Sequence, residues 1–217
     1  SLVTGIYLIF FMQDILKLIN SKKLLIFDFD GTLSNTSPIH EQAFRDVLEP
    51  LNIEFIYQDI AGMNSKAAFL KILTENKIFF SDHQMNEMIM RKQTIARSII
   101  KENLCLEPAV KKFLNWAYKN SNFKLCVVSS GSRQTIEISI EKLGLNQYFE
   151  FLICSEDVQY AKPNPEGFLK ALVQTKLKND EAIIFEDSQA GFLSAENANI
   201  SYLNVTGNFW KEISSIL

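Results

Sequence analysis

Two pairs of acidic residues close apolar runs in this chain: Asp28 and Asp30, split by Phe29, end "LLIF", and Glu186-Asp187 end "AIIF". Side chains along a strand alternate with a period of two, so Asp28 and Asp30 leave on the same side, and Gly31 then allows a tight turn. Open parallel sheets bind ligands beyond the carboxyl ends of their strands, which is where both pairs fall. Two carboxylates about 4 Å apart repel by roughly 4 kcal/mol at an effective dielectric near 20, so acidic tips that converge need a cation between them. An all-oxygen set with room for water suits Mg²⁺, a metal usually shared between protein carboxylates and a substrate phosphate.

Two further loops fit an anionic ligand. "VVSSG" places Ser129 at the end of a strand, with Ser130 and Gly131 offering hydroxyl and backbone N–H groups to an oxyanion. "AKPNP" places Lys162 in a loop stiffened by Pro163 and Pro165, where an ammonium would neutralise both a carboxylate and an incoming phosphoryl group. Taken singly, each has a plainer explanation: strand-end turn acids, a helix cap, a solvated lysine.

These loops must be held by "KLLIFDF" (23–29), "FKLCVVS" (123–129), "FLIC" (151–154), "EAIIFE" (181–186) and "ISYLNV" (200–205), short apolar runs of the kind buried on both faces of a parallel sheet. Helical stretches separate the later runs. Ser132 is placed to cap one, with Gly144 at its left-handed end. Asn164 caps the next, with Pro165 at its first position, and Ser188 and Asn199 bound a third. Strands alternating with helices predict an α/β fold, a Rossmann-like doubly wound parallel sheet. Residues 36–104 break the alternation with three helical patterns and no strand, so an all-helical cap is expected there, inserted into a core of residues 22–35 and 105–217. Ser37-Pro38 opens the insertion. Its main positive charges, Arg91-Lys92 and "RSIIK", read as an ordinary solvated helix face, with contact to a second phosphate or carboxylate of a substrate as the alternative.

At 217 residues, 47% hydrophobic and 22% charged, the chain has the composition of a globular protein, and a net charge of -3 gives no reason to expect nucleic acid or an anionic membrane as partner. Cys105, Cys126 and Cys154 are few, odd in number and widely spaced, which fits free thiols in a cytoplasmic protein. His40 and His83 have no partner at zinc-ligand spacing. In residues 1–21 the longest apolar stretch is too short to span a bilayer, and no basic residue precedes it. This extension reads as an amphipathic helix, with Ile6, Ile9, Phe10, Ile15, Leu16, Leu18 and Ile19 on the packed side.

In their order, "DFDGT", "VVSSG", "AKPNP" and "FEDSQAG" resemble the four motifs of the haloacid dehalogenase superfamily. More narrowly, the chain resembles the β-phosphoglucomutase-like and phosphoglycolate-phosphatase-like members, which carry a helical cap after the first motif. The resemblance spans residues 24–205 and is tight only at the motifs. It implies that Asp28 is a nucleophile forming an aspartyl-phosphate, and that Asp30 protonates the leaving oxygen and then deprotonates water while its carbonyl binds metal. Asp187, with Glu186, would complete an Mg²⁺ site that includes Asp28. Ser129 and Lys162 would hold the transferring phosphoryl, Thr32 would orient the catalytic loop, and Gly31, Ser130 and Gly131 would lie at the substrate. His40 coincides with a cap-entrance histidine of the mutase branch that lies near the leaving group. Two departures stand out: Asn35 replaces an acid, and the cap arginine of the mutases falls near Ser65 and Lys66.

The function expected is Mg²⁺-dependent hydrolysis of a small phosphorylated metabolite, a sugar phosphate or similar, by a cytoplasmic monomer or weak homodimer. A phosphomutase, a haloacid dehalogenase and a noncatalytic binding module are the alternatives.

Overall fold

The computed structural model describes residues 2–217, with side chains from Phe11 onward. In chain order it runs α1 (Leu2–Asn20), β1 (Leu24–Phe27), α2 (Ser37–Leu48), α3 (Ser65–Glu75), α4 (Asp82–Asn103), α5 (Pro108–Lys119), β2 (Lys124–Val128), α6 (Arg133–Leu143), β3 (Phe151–Ile153), α7 (Glu166–Thr175), β4 (Ala182–Glu186), α8 (Gln189–Ala198), β5 (Ser201–Asn204) and α9 (Phe209–Ser215). All five apolar runs are strands of one parallel sheet, ordered β3-β2-β1-β4-β5. The chain order reverses at β1, which pairs with β2 on one side and β4 on the other. That is the switch point where such sheets open a crevice beyond the strand ends.

Helices cover both faces, so the central strands β1 and β4 are buried at every position rather than alternating. On one face Phe27 stacks on Phe185 of the neighbouring strand with ring centroids 4.7 Å apart, and Phe113 and Trp210 pack against Phe185. On the other, Ile26, Val128 and Ile184 meet Phe168 and Ala195. A third apolar cluster lies within the inserted helices, built on Phe44, Leu48, Phe69, Ile72 and Met88. Helix α4 links this cluster to the sheet core: Met85 and Met88 belong to the insertion's cluster, whereas Ile100 is buried with Phe113 and Phe27.

Most helix boundaries obey the expected caps. Ser188 accepts the Gly191 N–H, and Gly144 and Asn199 end α6 and α8 in the left-handed conformation. Helix α7 starts one residue later than expected, with Pro165 as its cap, because the Asn164 side chain accepts from the Glu166 N–H. Helix α2 is capped by Thr36 rather than Ser37. In α1, Met12, Ile15, Leu16 and Ile19 pack on the core; Leu18, expected there, faces outward, since the helical repeat carries it to the side of Phe11. The side chains of Ile6, Ile9 and Phe10 lie outside the described residues. No helix among the described residues is long and apolar enough to cross a membrane.

Candidate active site

Asp28 is the first residue past β1, Ser129 the first past β2 and Asp187 the first past β4, so adjacent strands deliver all three to one crevice. The Asp28 N–H donates to the Phe185 carbonyl at 3.0 Å, extending the β1–β4 ladder into the site. Carboxylate oxygens of Asp28, Glu186 and Asp187 lie within 4.8 Å of one another. Lys162 reaches this cluster from the loop after β3 and donates to Asp28 Oδ1 at 2.6 Å and Glu186 Oε2 at 2.8 Å. All three side chains of this bridge are buried.

Burial, and then the charges of Glu186, Asp187 and Asp30 against that of Lys162, push the Asp28 carboxyl well above its usual range. Burial and the Glu186 charge likewise push Asp187 up to about 6, against the hydrogen bond from Thr32. Burial alone would lower Lys162, but Asp28 and Glu186 more than offset it and the ammonium is held charged. A single ammonium among these acids leaves an excess of negative charge that a bound cation would relieve. The oxygen-only donor set and the crowding of acids therefore fit a hard divalent ion. Ser130 adds a second sign of a missing partner: its hydroxyl oxygen is buried and hydrogen-bonded to nothing among the described residues.

Glu186 stands behind the cluster. One oxygen holds Lys162, and the other accepts from both the N–H and the hydroxyl of Ser188, at 3.1 and 2.7 Å. A Cβ on Gly191 would lie 1.9 Å from its carboxyl carbon, so only glycine leaves room for this carboxylate. Gly191→Ala is expected to cost about 1–3 kcal/mol of stability through overpacking, and to lower turnover because Glu186 and Lys162 must shift. Denaturant unfolding and kcat measured together check it. Gly31, at φ +87°, similarly has a Cβ position 2.0 Å from Asp187 Oδ2. Thr32 donates to the other Asp187 oxygen at 2.9 Å, which ties the first acidic loop to the second.

Asp30 faces the inserted helices. Its Oδ1 accepts from the Thr36 hydroxyl at 2.6 Å and from His40 Nε2 at 2.9 Å. Behind the ring, Lys92 Nζ lies 3.0 Å from His40 Nδ1, so with the ammonium donating to Nδ1 the ring proton sits on Nε2. Burial would raise Asp30, but the charge and hydrogen bond of His40, the Thr36 hydroxyl and Lys92 pull it down to about 2. Burial and the Lys92 charge hold His40 below its usual value, and burial lowers Lys92 to about 8. Ser129 Oγ accepts from the Gly131 N–H at 2.9 Å and sits 3.5 Å from Asp30 Oδ2.

The crevice thus gathers Asp28, Asp30, Gly31, Thr32, His40, Ser129, Ser130, Gly131, Lys162, Glu186 and Asp187. Sequence reasoning missed four residues. Lys92, read as part of a solvated face, is buried; only Arg91 beside it is exposed. The signal was present, because Lys92 continues the stripe Met85, Met88, Ala96, Ile100 at helical spacing. Thr36 and Tyr57 line or hold the site with no motif to mark them. Trp210, packed on Phe113 and Phe185, also donates its indole N–H to the Thr32 carbonyl at 2.9 Å and so anchors the first acidic loop to α9.

A family profile described as haloacid dehalogenase-like hydrolase matches residues 25–205. Among individual proteins, the chain is 25% identical to the fructose-1-phosphate phosphatase YqaB of Escherichia coli, over 83% of this chain and 95% of that one. It is 26% identical to a phosphorylated carbohydrates phosphatase of Thermotoga maritima, over 81% of each. A solved structure of β-phosphoglucomutase from Clostridium difficile superposes with a TM-score of 0.77 over 86% of each chain, at 24% identity, which speaks to the fold.

Proposed function

The chain belongs to the haloacid dehalogenase-like hydrolases, and we propose that within this family it is an Mg²⁺-dependent phosphomonoesterase acting on a small phosphorylated metabolite through an aspartyl-phosphate on Asp28. The observation that carries this reading is the buried bridge Asp28–Lys162–Glu186, with Asp187 beside it and an unpartnered Ser130 hydroxyl facing the same space. The names of the Escherichia coli and Thermotoga maritima relatives, both phosphatases of phosphorylated sugars, support it.

Asp28 and Asp187, with the Asp30 carbonyl and Glu186, would hold the metal. When bound, Mg²⁺ supplies positive charge that keeps these carboxylates ionised and stabilises the phosphoryl oxygens. Lys162 holds Asp28 in place and presents its ammonium to the incoming phosphoryl group. The Ser129 and Ser130 hydroxyls and the turn at Gly131 receive phosphoryl oxygens. Asp30, ionised in the free protein, serves directly as the base that activates water against the aspartyl-phosphate. To protonate the leaving oxygen it must first take up a proton, and the His40 Nε2–H at 2.9 Å can pass one on only as Lys92 Nζ, 3.0 Å from Nδ1, hands its own proton to the ring, which leaves His40 neutral and Lys92 uncharged. The inserted helices α2 and α4 carry His40 and Lys92, so closure of this cap over the crevice would complete the acid–base group as it excludes water.

A panel of phosphorylated metabolites, assayed with and without chelator, tests the reaction. Chelation is expected to abolish phosphate release and added Mg²⁺ to restore it, and Mg²⁺ should raise Tm in the absence of substrate. Full activity in chelator would overturn the metal assignment.

Lys92 gives a separate test. Its folded pKa of about 8 lies below its ordinary 10.5, so the unfolded chain binds the proton more readily. The resulting penalty is complete below about pH 8 and fades as pH rises towards 10.5. Lys92→Met is therefore expected to be about 1–3 kcal/mol more stable at pH 7, a gain that shrinks at pH 10. The same variant should lose about 10- to 100-fold in kcat because His40 is no longer held. Unfolding curves at the two pH values, with kcat, check both halves.

A further inference from the structure

The wall of the crevice opposite the phosphoryl site is made by Phe44, Tyr57, Ile60, Met63, Ser65 and Lys92. Lys92 is the one cation among these six, and it is already engaged: its Nζ is 3.0 Å from His40 Nδ1 and 4.6 Å from the Phe44 ring centroid. The nearby cations of the insertion face elsewhere. Arg45 pairs with Glu41 at 2.6 Å and lies over Phe55, and Lys66, adjacent to Ser65, lines not this crevice but a neighbouring open groove that also borders Lys162 and Tyr160. Tyr57 and Ser65 are the uncharged polar side chains on this wall. Burial and the Asp30 charge push the Tyr57 phenol up, against a hydrogen bond with Ser37 and with smaller help from Asp187 and Glu41, so it stays a neutral hydroxyl. The remaining surface is apolar, of the kind that packs on the C–H face of an alcohol.

We propose that Tyr57 and Ser65 read the leaving group, selecting phosphomonoesters of small, uncharged, hydroxyl-bearing alcohols and rejecting esters that carry a second phosphate or a carboxylate. This rests on the phosphomonoesterase reading above. A second anion on the leaving group would be stripped of water against Phe44, Ile60 and Met63, with no unengaged cation on this wall to receive it and with Asp30 in the same crevice opposing it. A hydroxyl in the same place meets a neutral donor and an acceptor.

Matched pairs isolate the charge. kcat/KM is expected to be at least about tenfold higher for 2-hydroxyethyl phosphate than for 2-phosphoglycolate, and for glucose 6-phosphate than for 6-phosphogluconate. Ser65→Lys should narrow both gaps by about tenfold or more, by placing a cation on the wall. Tyr57→Phe should shrink the preference for 2-hydroxyethyl phosphate over ethyl phosphate, mainly through KM. Preference for the charged member of either pair, or ratios unmoved in both variants, would overturn the proposal. Calorimetry on Asp28→Asn with Mg²⁺ reads the same selectivity without turnover. Tighter binding of glucose 6-phosphate than of 6-phosphogluconate supports the proposal, and equal, reversed or absent binding overturns it. If the wild-type protein released phosphate from none of these esters while that binding preference held, the phosphomonoesterase reading would fall and the selectivity would stand.

Discussion

Asp28→Asn is expected to lower kcat by at least about 10³-fold while the protein keeps its fold. The amide occupies nearly the same volume, so the packing beyond β1 is undisturbed, but its oxygen is a poor nucleophile towards phosphorus. Stability should change by no more than about 1 kcal/mol, because the substitution removes one of several crowded acids rather than the cation that holds them. Lys162 keeps its second contact, to Glu186 at 2.8 Å. Circular dichroism and denaturant unfolding establish the fold, and phosphate release by protein free of host phosphatase establishes the loss. Wild-type turnover in this variant would remove Asp28 from the chemistry.

Lys162→Met is expected to damage both fold and function. It leaves Asp28 and Glu186 without the ammonium between them, and the Glu186 side chain has only 1% of its surface exposed. Breaking a buried pair by removing one partner costs about 3–5 kcal/mol, since the remaining charge stays desolvated. The sign with pH follows from Asp28, whose carboxyl already lies well above its usual range. Without Lys162 it rises further, so the deficit is greatest near neutral pH and fades as acid protonates that carboxyl. Activity should fall by at least about 10³-fold, as both the nucleophile and the transferring group lose their counter-charge. Unfolding at pH 5 and pH 7.5 tests the first claim. A variant equally stable at both values, and as stable as the wild type, would show that the lysine is not the element that makes the acidic cluster tolerable.

Much of this architecture can be read from local pattern. The five runs are short and largely apolar, the pattern of strands in a parallel sheet covered by helices, and each became a strand of that sheet. The acids were legible because they interrupt such runs at their ends, where a buried charge needs a compensating partner. Glycine at 31 and serine at 188 were legible because turns and caps depend on the residue itself and its near neighbours. Lys92, Tyr57 and Trp210 were not, since each reaches the site from an element distant in sequence, and Thr36 was not, since its bond to Asp30 lies in an irregular connection that no periodicity marks. Lys92 meets His40 across 52 positions, and Trp210 meets Thr32 across 178.

The amino-acid sequence therefore settled the strands, their order of appearance along the chain and the acids at their tips, because periodicity and turn chemistry are local properties. Packing alone decided that Glu186 is tied to Lys162 and Ser188 while Asp187 is tied to Thr32, that Lys92 is buried while Arg91 is exposed, and that Ser65 rather than Lys66 borders the crevice. Those outcomes depend on helix rotation and on contacts between separate elements, and a one-residue step around a helix turns a side chain by about 100°.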